Sequence, residues 1–369
     1  MNEKALSFLR RLVETPSPSG FEERASKVWR DYLTNSVESN QTVPKSGIFV
    51  PRFSISTDTY GNSIATLNPW RSGGNTIMLC AHIDEVGMMI NYINDEGFLY
   101  ISQIGGVEAT ILPAQRVIVH NKNGPINGVI GRRPYHLADE DDDEEVKFHN
   151  VFVDIGAKDR DDALTLVSVG DPITFDASYR ELANNRVVAR GLDDRMGAWV
   201  VAEVIRRLAE KNSHRVPVVG VTTIQEENGA YGATMVVNKV KPDVAIAIDV
   251  THATDVPDVS KEKHGDCKLG EGPVLSVGSV SHKKVNELLE QVATQERIPI
   301  QKQISPCWTG TDGDAVFLEN GGIPTGLVSV PNRYMHSPVE IIQLDDLENA
   351  VKLIVAWCES VGENTSWKL

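Results

Sequence analysis

Uncharged, largely apolar runs that lead into acidic residues or histidine recur along this sequence, and this pattern most constrains the fold. They are followed by polar side chains in a fixed order: 76–81 by His82 and Asp84, 216–224 by Glu226 and Glu227, and 244–248 by Asp249. Such runs are typical of strands buried on both faces of a parallel sheet. Because open α/β sheets bind ligands at the carboxyl ends of their strands, the pattern predicts a functional edge there.

Helical spacing alternates with these strands and supports an α/β fold. We predict a hairpin from 53–57 and 63–67, further strands at 300–304 and 324–330, and helices at 3–14, 21–35, 198–208, 281–297, 315–320 and 344–361. Alternation of this kind favours a mixed, mostly parallel sheet that is flanked by helices.

The pattern changes between residues 88 and 179, where short segments alternate with glycine and proline turns. The predicted strands there are 97–101, 115–119, 126–131, 151–156 and 171–175. Strands of this length and spacing predict a small antiparallel β-barrel or sandwich. A chain of 369 residues exceeds the usual single core. We therefore predict a discontinuous domain, 1–87 and 180–369, with an inserted β domain at 88–179.

Charge and cysteine usage exclude several classes of function. The 36 basic and 51 acidic residues give a formal net charge of −15, which disfavours nucleic acid and anionic membranes as partners. The four cysteines have no Cys-x-x-Cys spacing, and no apolar run approaches the ~20 residues that span a bilayer. The start of the chain lacks the apolar core of a secretion signal. We expect a soluble cytoplasmic protein, with the acidic run 139–145 as a solvated loop.

Two histidines and several carboxylates follow separate strands of the predicted sheet. They are His82, Asp84, Asp193, Glu226, Glu227, Asp249 and His336. Asp193 follows the strand-like run 187–190. Nitrogen and oxygen donors from different elements, with one carboxylate shared, are what a pair of divalent cations needs. This set predicts a two-metal hydrolase in which one glutamate is left to accept a proton from water.

Several ordered motifs resemble one known family over essentially the whole chain. They are His82-Ile-Asp84-Glu85-Val-Gly87, Gly191-Leu-Asp193-Asp194-Arg195-Met-Gly197, Gln225-Glu226-Glu227-x-Gly229, Ala247-Ile-Asp249, Gly310-Thr311-Asp312 and Arg333-Tyr-Met-His336-Ser337-Pro338-Val-Glu340. The chain resembles the cytosolic metallo-aminopeptidases that include glutamyl aminopeptidase and the tetrahedral (TET) aminopeptidases. The resemblance implies a zinc-peptidase-like catalytic domain with an inserted, PDZ-like β-barrel for dimerisation.

The resemblance also implies a role for each site residue. His82 and Asp249 would bind one cation, Glu227 and His336 the other, and Asp193 both. Glu226 would be the general base, Asp84 would orient His82, and the Asp193–Asp194 peptide bond would be cis. Two divalent cations per subunit are expected, zinc first, with cobalt or manganese as alternatives. The expected activity is release of N-terminal amino acids from peptides by a homo-oligomer, either a dimer through the inserted domain or a dodecamer.

Substrate recognition and rival functions stay open at this stage. Asp312, Asp314 and Arg333 are the candidate substrate-binding residues, although Arg333 would equally suit a structural ion pair. The main alternative is another two-metal amidohydrolase, such as a deacylase, which only substrate profiling distinguishes. A non-catalytic scaffold would have lost a ligand or the base, and none is missing. A glycosidase would have an aromatic-rich sugar cleft, whereas aromatic residues are 6% of this chain.

Overall fold

A computed structural model describes residues 1–38, 41–45, 47–70, 74–137 and 145–369. Its α-helices are α1 (Glu3–Glu14), α2 (Glu23–Thr34), α3 (Arg160–Leu166), α4 (Leu192–Lys211), α5 (Tyr231–Val240), α6 (Lys261–His264), α7 (Lys283–Glu296), α8 (Asp312–Val316) and α9 (Leu344–Ser360). Most of the acidic run 139–145 lies outside the described residues, so its loop character stays a prediction.

The strands alternate with these helices mainly from β13 onward. They are β1 (Thr42–Lys45), β2 (Ile48–Pro51), β3 (Phe53–Thr57), β4 (Ser63–Leu67), β5 (Ile77–His82), β6 (Gly87–Ile93), β7 (Leu99–Ile104), β8 (Arg116–Asn121), β9 (Gly124–Gly131), β10 (Phe152–Asp154), β11 (Pro172–Phe175), β12 (Arg180–Leu182), β13 (Arg186–Ala189), β14 (Val218–Thr223), β15 (Val244–His252), β16 (Val274–Gly278), β17 (Gln301–Ser305), β18 (Thr325–Asn332) and β19 (Glu340–Gln343).

An eight-stranded sheet in the order β17-β16-β18-β15-β5-β14-β4-β3 forms the centre of the molecule. Its middle strands β18, β15, β5 and β14 run parallel, and the β3–β4 hairpin adds two antiparallel strands at one edge. The predicted mixed, largely parallel sheet is therefore confirmed. The parallel middle brings the carboxyl ends of four strands to one edge.

Helices cover both faces of this sheet because its strands are apolar on both sides. Alternate residues of β5 divide between the two faces: Ile77 and Leu79 belong to a core with α1, α2, α4, α7 and α9, and Met78 and Cys80 to a core with α5 and α8. All six residues of β5 are buried. Packing on both faces fixes the strand and hence the position of His82 at its end.

The middle of the chain folds into a closed barrel of six strands in the order β10-β7-β6-β11-β8-β9. Its interior is a separate apolar cluster that includes Met88, Val107, Val119 and Ile173. Antiparallel pairing joins each strand to its neighbours, so the barrel has no open edge. The expectation of a small β-barrel is confirmed.

Two small sheets, one helix boundary and several unpredicted elements, namely α3, α5, α6, β6 and β16, differ from the sequence-based expectation. The sheets are β1–β2 and β12–β13–β19. Of their strands only β13 coincides with a predicted run, 187–190, because the others are three or four residues long and too short to show a pattern. The predicted helix 315–320 is wrong in its limits, because α8 begins at Asp312, where the Thr311 side chain caps it. It cannot reach residue 320, because Asn320 has a left-handed φ of 52°. Within the described residues no helix is both long and apolar enough to cross a bilayer.

Glu203 of α4 is fully buried. Because its carboxylate is paired with basic side chains, we expect the free energy of unfolding to fall at acidic pH. Arg206 donates to it at 2.8 and 3.0 Å, Arg207 at 3.3 Å, and Tyr32 also donates to it. Burial alone would raise the pKa of Glu203, but the hydrogen bonds from Arg206 and Tyr32 and both arginine charges outweigh it, so the net pKa is lowered.

Glu203→Gln is expected to cost about 3 kcal/mol of unfolding free energy at pH 7, because the arginines lose their buried counter-ion. A lowered folded-state pKa contributes stability above the unfolded value of roughly 4.3 and loses it as pH falls through the folded value. The difference in Tm between wild type and variant should therefore shrink below about pH 4.3. Glu210→Gln is the control, since Glu210 pairs with Arg206 but is 72% exposed. Equal effects of the two substitutions would contradict this account.

Candidate metal centre

Three of the predicted site residues meet where β5, β15 and α4 come together. His82 is the last residue of β5, and Asp249 lies in the adjacent parallel strand β15. His82 Nε2 is 3.0 Å from Asp193 Oδ1 and 4.0 Å from Asp249 Oδ1. One nitrogen and two carboxylate oxygens from these residues all lie within 4.8 Å of one another. We call this the first donor group.

A second donor group shares Asp193 with the first. His336 Nε2 is 3.2 Å from Asp193 Oδ2 and 3.5 Å from Glu227 Oε2. The three donor atoms of this group also lie within 4.8 Å of one another. Asp193 thus directs one carboxylate oxygen toward each histidine, which is the geometry of a carboxylate that can bridge two cations.

The loop that carries Glu226 and Glu227 is held by side chains rather than by regular structure. Its four successive backbone N–H groups, from Ile224 to Glu227, donate in turn to Asn62 (3.0 Å), Glu22 (3.1 Å) and the two carboxylate oxygens of Asp84 (3.1 Å each). Gln225 has a left-handed φ of 54°. Buried backbone donors need partners, so these acceptors stabilise the turn and fix both glutamates.

Asp84 therefore acts on two parts of the centre at once. Besides holding the glutamate loop, its carboxylate lies 3.5 Å from His82 Nδ1, and its backbone carbonyl lies 3.2 Å from the same nitrogen. A proton on Nδ1 leaves Nε2 free to face Asp193 and Asp249. Asp84 is fully buried, which keeps water from competing for these contacts.

Glu340 connects the two donor groups, and sequence reasoning assigned it no role beyond its place in a motif. Its carboxylate accepts from the backbone N–H of Asp193 at 3.0 Å and from that of His336 at 2.9 Å. Glu340 begins β19, which pairs with β13, the strand that leads toward Asp193. Its spacing of four residues after His336 was the only available signal.

The Asp193–Asp194 peptide bond is cis, as the resemblance implied. Asp193 and Asp194 have non-helical backbone angles at the start of α4, while regular helix follows. The Asp194 carboxylate accepts from the backbone N–H of Gly197 at 3.1 Å. Asp193 is left to direct its own carboxylate toward the two histidines.

The carboxylates and histidines perturb one another's ionisation strongly. Burial lowers the pKa of His336, but Asp193 and Glu227 outweigh it and raise it to about 10. Burial also lowers the pKa of His82, but Asp193 and Asp84 outweigh it, so the net pKa is raised. Burial raises the pKa of Glu226 to about 8. Such shifts indicate a site with more negative charge than its two imidazoles neutralise.

The donor set fits divalent cations. Imidazole nitrogen with carboxylate oxygen suits zinc, cobalt and manganese. Glu227 Oε1 is buried and has no hydrogen-bond partner among the described residues. A buried carboxylate oxygen without a donor is costly in the free protein, and a cation would satisfy it.

The three candidate substrate-binding residues each have a partner within the chain. Arg333 donates to Asp255 at 2.7 and 2.9 Å. Asp314 accepts from Thr309 and Gly310 at 2.7 to 3.0 Å and so closes its own loop. Asp312 is buried and accepts from Thr223. Their role in substrate binding stays a prediction.

Comparison with known proteins identifies the family of this chain. The chain matches the family model of M42 glutamyl aminopeptidase over residues 61–353. It is 31% identical to lysyl aminopeptidase of Pyrococcus furiosus over 357 residues, which cover 96% of both chains. The crystal structure of a TET aminopeptidase from a marine sediment archaeon (Thaumarchaeota) has a TM-score of 0.89 at 29% identity, covering 98% of this chain and 97% of that one.

A second solved structure resembles the chain over its whole length. The TET1 peptidase of Pyrococcus horikoshii, which can assemble into a tetrahedron or a large octahedral shell, has a TM-score of 0.81 at 30% identity. The match covers 97% of this chain and 100% of that one. On the family match and these likenesses, the chain belongs to the M42 glutamyl aminopeptidase family and is a peptide hydrolase.

Proposed function

We propose that this protein is a metal-dependent aminopeptidase that removes N-terminal amino acids from peptides with two divalent cations and a glutamate base. The observation that carries the proposal is the pair of donor groups that share Asp193. His82 and Asp249 would hold one cation, and Glu227 and His336 the other. Zinc suits these donors best, and cobalt or manganese would also fit.

Bound divalent cations supply a Lewis acid, which lowers the pKa of water and polarises a carbonyl group. The remaining work falls to side chains of this chain. Glu226 lies 4.0 Å from His82 Nε2 at the edge of the first donor group and belongs to neither group. Its carboxylate would accept a proton from the attacking water and deliver it to the departing amine.

Asp84 supports both halves of this mechanism. It orients His82 through Nδ1 and holds the backbone of Glu226 and Glu227. Surplus carboxylate charge at the site would attract the free α-ammonium group of a peptide, which favours cleavage at the N-terminus. We propose that the loops near Asp312, Asp314 and Arg333 determine which N-terminal residue is preferred, and that these three residues take part in substrate binding.

We also propose the division of the chain into a catalytic part, 1–87 and 180–369, and an inserted part, 88–179, that serves dimerisation. The closed barrel and its separate apolar core support an independent unit. Assembly into a homo-oligomer, a dimer or a dodecamer, is part of this proposal. The four free cysteines, three of them buried, fit the reducing cytosol as its compartment.

The activity is tested on aminoacyl p-nitroanilides and short peptides, each free and N-acetylated. We expect metal-stripped protein to be inactive and zinc or cobalt to restore cleavage of the free substrates only. The best side chain then defines the pocket. Restored cleavage of the acetylated substrates would favour the deacylase alternative. Two bound cations with no cleavage of either kind would contradict the proposed aminopeptidase.

A further inference from the structure

The barrel reaches the metal centre through one short segment, Gly105–Gly106, directly after β7. The carbonyl oxygen of Gly106 lies 3.0 Å from His336 Nδ1, within hydrogen-bond distance. A proton on Nδ1 leaves Nε2 of the same ring to face Asp193 and Glu227. The barrel therefore supplies the acceptor that orients one of the two histidines.

Neither position of this segment accommodates a Cβ unless a neighbouring side chain shifts. A Cβ at Gly106 would lie 2.9 Å from His336 Nδ1 and 3.1 Å from Cε1 of the same ring. A Cβ at Gly105 would lie 3.1 Å from Glu227 Cβ and 3.2 Å from Glu227 Oε2, and Gly105 has a left-handed φ of 67°. The bare backbone is thus packed against two of the three residues of the second donor group.

Buried residues flank the segment on both sides, and the one that follows it belongs to the barrel core. Ile104 before it and Val107 after it are 6% and 5% exposed, and Val107 belongs to the apolar cluster of the barrel. Val86, which also packs against that cluster, would lie 3.0 Å from a Cβ at Gly105. The position of the Gly106 carbonyl therefore follows the packing of the barrel interior.

We propose that the segment Gly105–Val107 is a positioning element of the second donor group, and that the packing of Val107 in the barrel core sets the cation affinity of that group alone. The inference rests on the proposed two-cation site. A histidine that binds a cation through one nitrogen is oriented by the acceptor of the other. For His336 that acceptor comes from the barrel, whereas for His82 it comes from Asp84 beside the main sheet.

Gly106→Ala tests the contact directly. We expect one of two zinc ions to bind about 10–100-fold more weakly, as is typical when the partner of a metal-binding histidine is disturbed. The other ion should bind as in the wild type. The measurement is isothermal titration of metal-stripped protein with zinc. Gly362→Ala is the control, because its added Cβ meets only Thr365 Oγ1 at an ordinary 3.8 Å.

Val107→Ala and Val119→Ala test the role of the barrel core without touching the site. Both valines are buried in the same apolar cluster, but only Val107 adjoins the glycine segment. The two truncations should lower Tm in the metal-free protein by similar amounts. Only Val107→Ala should weaken binding of the second zinc ion. A merely structural role for Val107 would leave that affinity unchanged.

Different results separate this inference from the proposed function. Wild type that binds two zinc ions, together with Gly106→Ala and Val107→Ala that bind both as tightly, would overturn the inference alone. Wild type that binds none would overturn the two-cation site. If Gly106→Ala does not fold, a crystal structure of the zinc-loaded wild type decides: His336 Nδ1 must donate to the Gly106 carbonyl, and another acceptor there would contradict the inference.

Discussion

The Glu226→Gln variant is expected to bind two divalent cations as the wild type does and to lose about 10³-fold in kcat, the scale of a general base. Glutamine keeps the size of glutamate but cannot accept the proton of the attacking water. Glu226 is outside both donor groups, so the substitution removes no expected ligand. Metal content and kcat on the best free aminoacyl substrate check the two halves of this result.

Glu227→Gln is the matched comparison, because it makes the same chemical change one residue along the same loop. Glu227 belongs to the second donor group, and its Oε2 lies 3.5 Å from His336 Nε2. This variant should lose affinity for one cation, and its activity should partly recover at high metal concentration. Glu226→Gln should not recover. Near wild-type kcat in Glu226→Gln would place the base elsewhere.

The sequence predicted which of these side chains lie close together because their positions follow from the ends of apolar strand runs. His82, the glutamate loop and Asp249 come directly from neighbouring parallel strands β5, β14 and β15. Carboxyl ends of parallel strands share one edge, so apolar runs that end in polar residues are sufficient to bring such side chains together. The closed barrel was equally predictable from the sequence, since its short alternating strands give a distinct pattern.

The contacts that hold these side chains could not be predicted from the sequence, because they join distant parts of the chain. Glu22 and Asn62 bind the glutamate loop across 203 and 162 residues, and Glu340 binds Asp193 across 147. Each is an ordinary polar residue in its own local sequence. Only the folded chain shows that the backbone N–H groups of an irregular, half-buried loop need these acceptors.

Arg333 illustrates the opposite limit, where a local pattern suggests more than one role. Its place three residues before His336 makes it a candidate for binding an acidic side chain of a substrate. In the structure its guanidinium donates to Asp255 and is 17% exposed. A sequence does not reveal whether a counter-ion 78 residues away is already present.

Asp193→Asn is expected to weaken binding of both cations and to abolish activity. In the native side chain Oδ1 lies 3.0 Å from His82 Nε2 and Oδ2 lies 3.2 Å from His336 Nε2. Asparagine replaces one oxygen with an amide nitrogen that has no lone pair for a cation, and it removes the negative charge. Loss of a shared ligand should exceed the ~10–100-fold cost of disturbing a ligand's hydrogen-bond partner.

Asp249→Asn is the control for the shared role of Asp193, because Asp249 belongs to the first donor group only. This variant should bind one cation more weakly and bind the other with near wild-type affinity. Zinc titration of both metal-stripped variants distinguishes the cases. If Asp193→Asn weakened a single cation as Asp249→Asn does, Asp193 would belong to one site rather than two. The two donor groups would then bind their cations independently, without a common ligand.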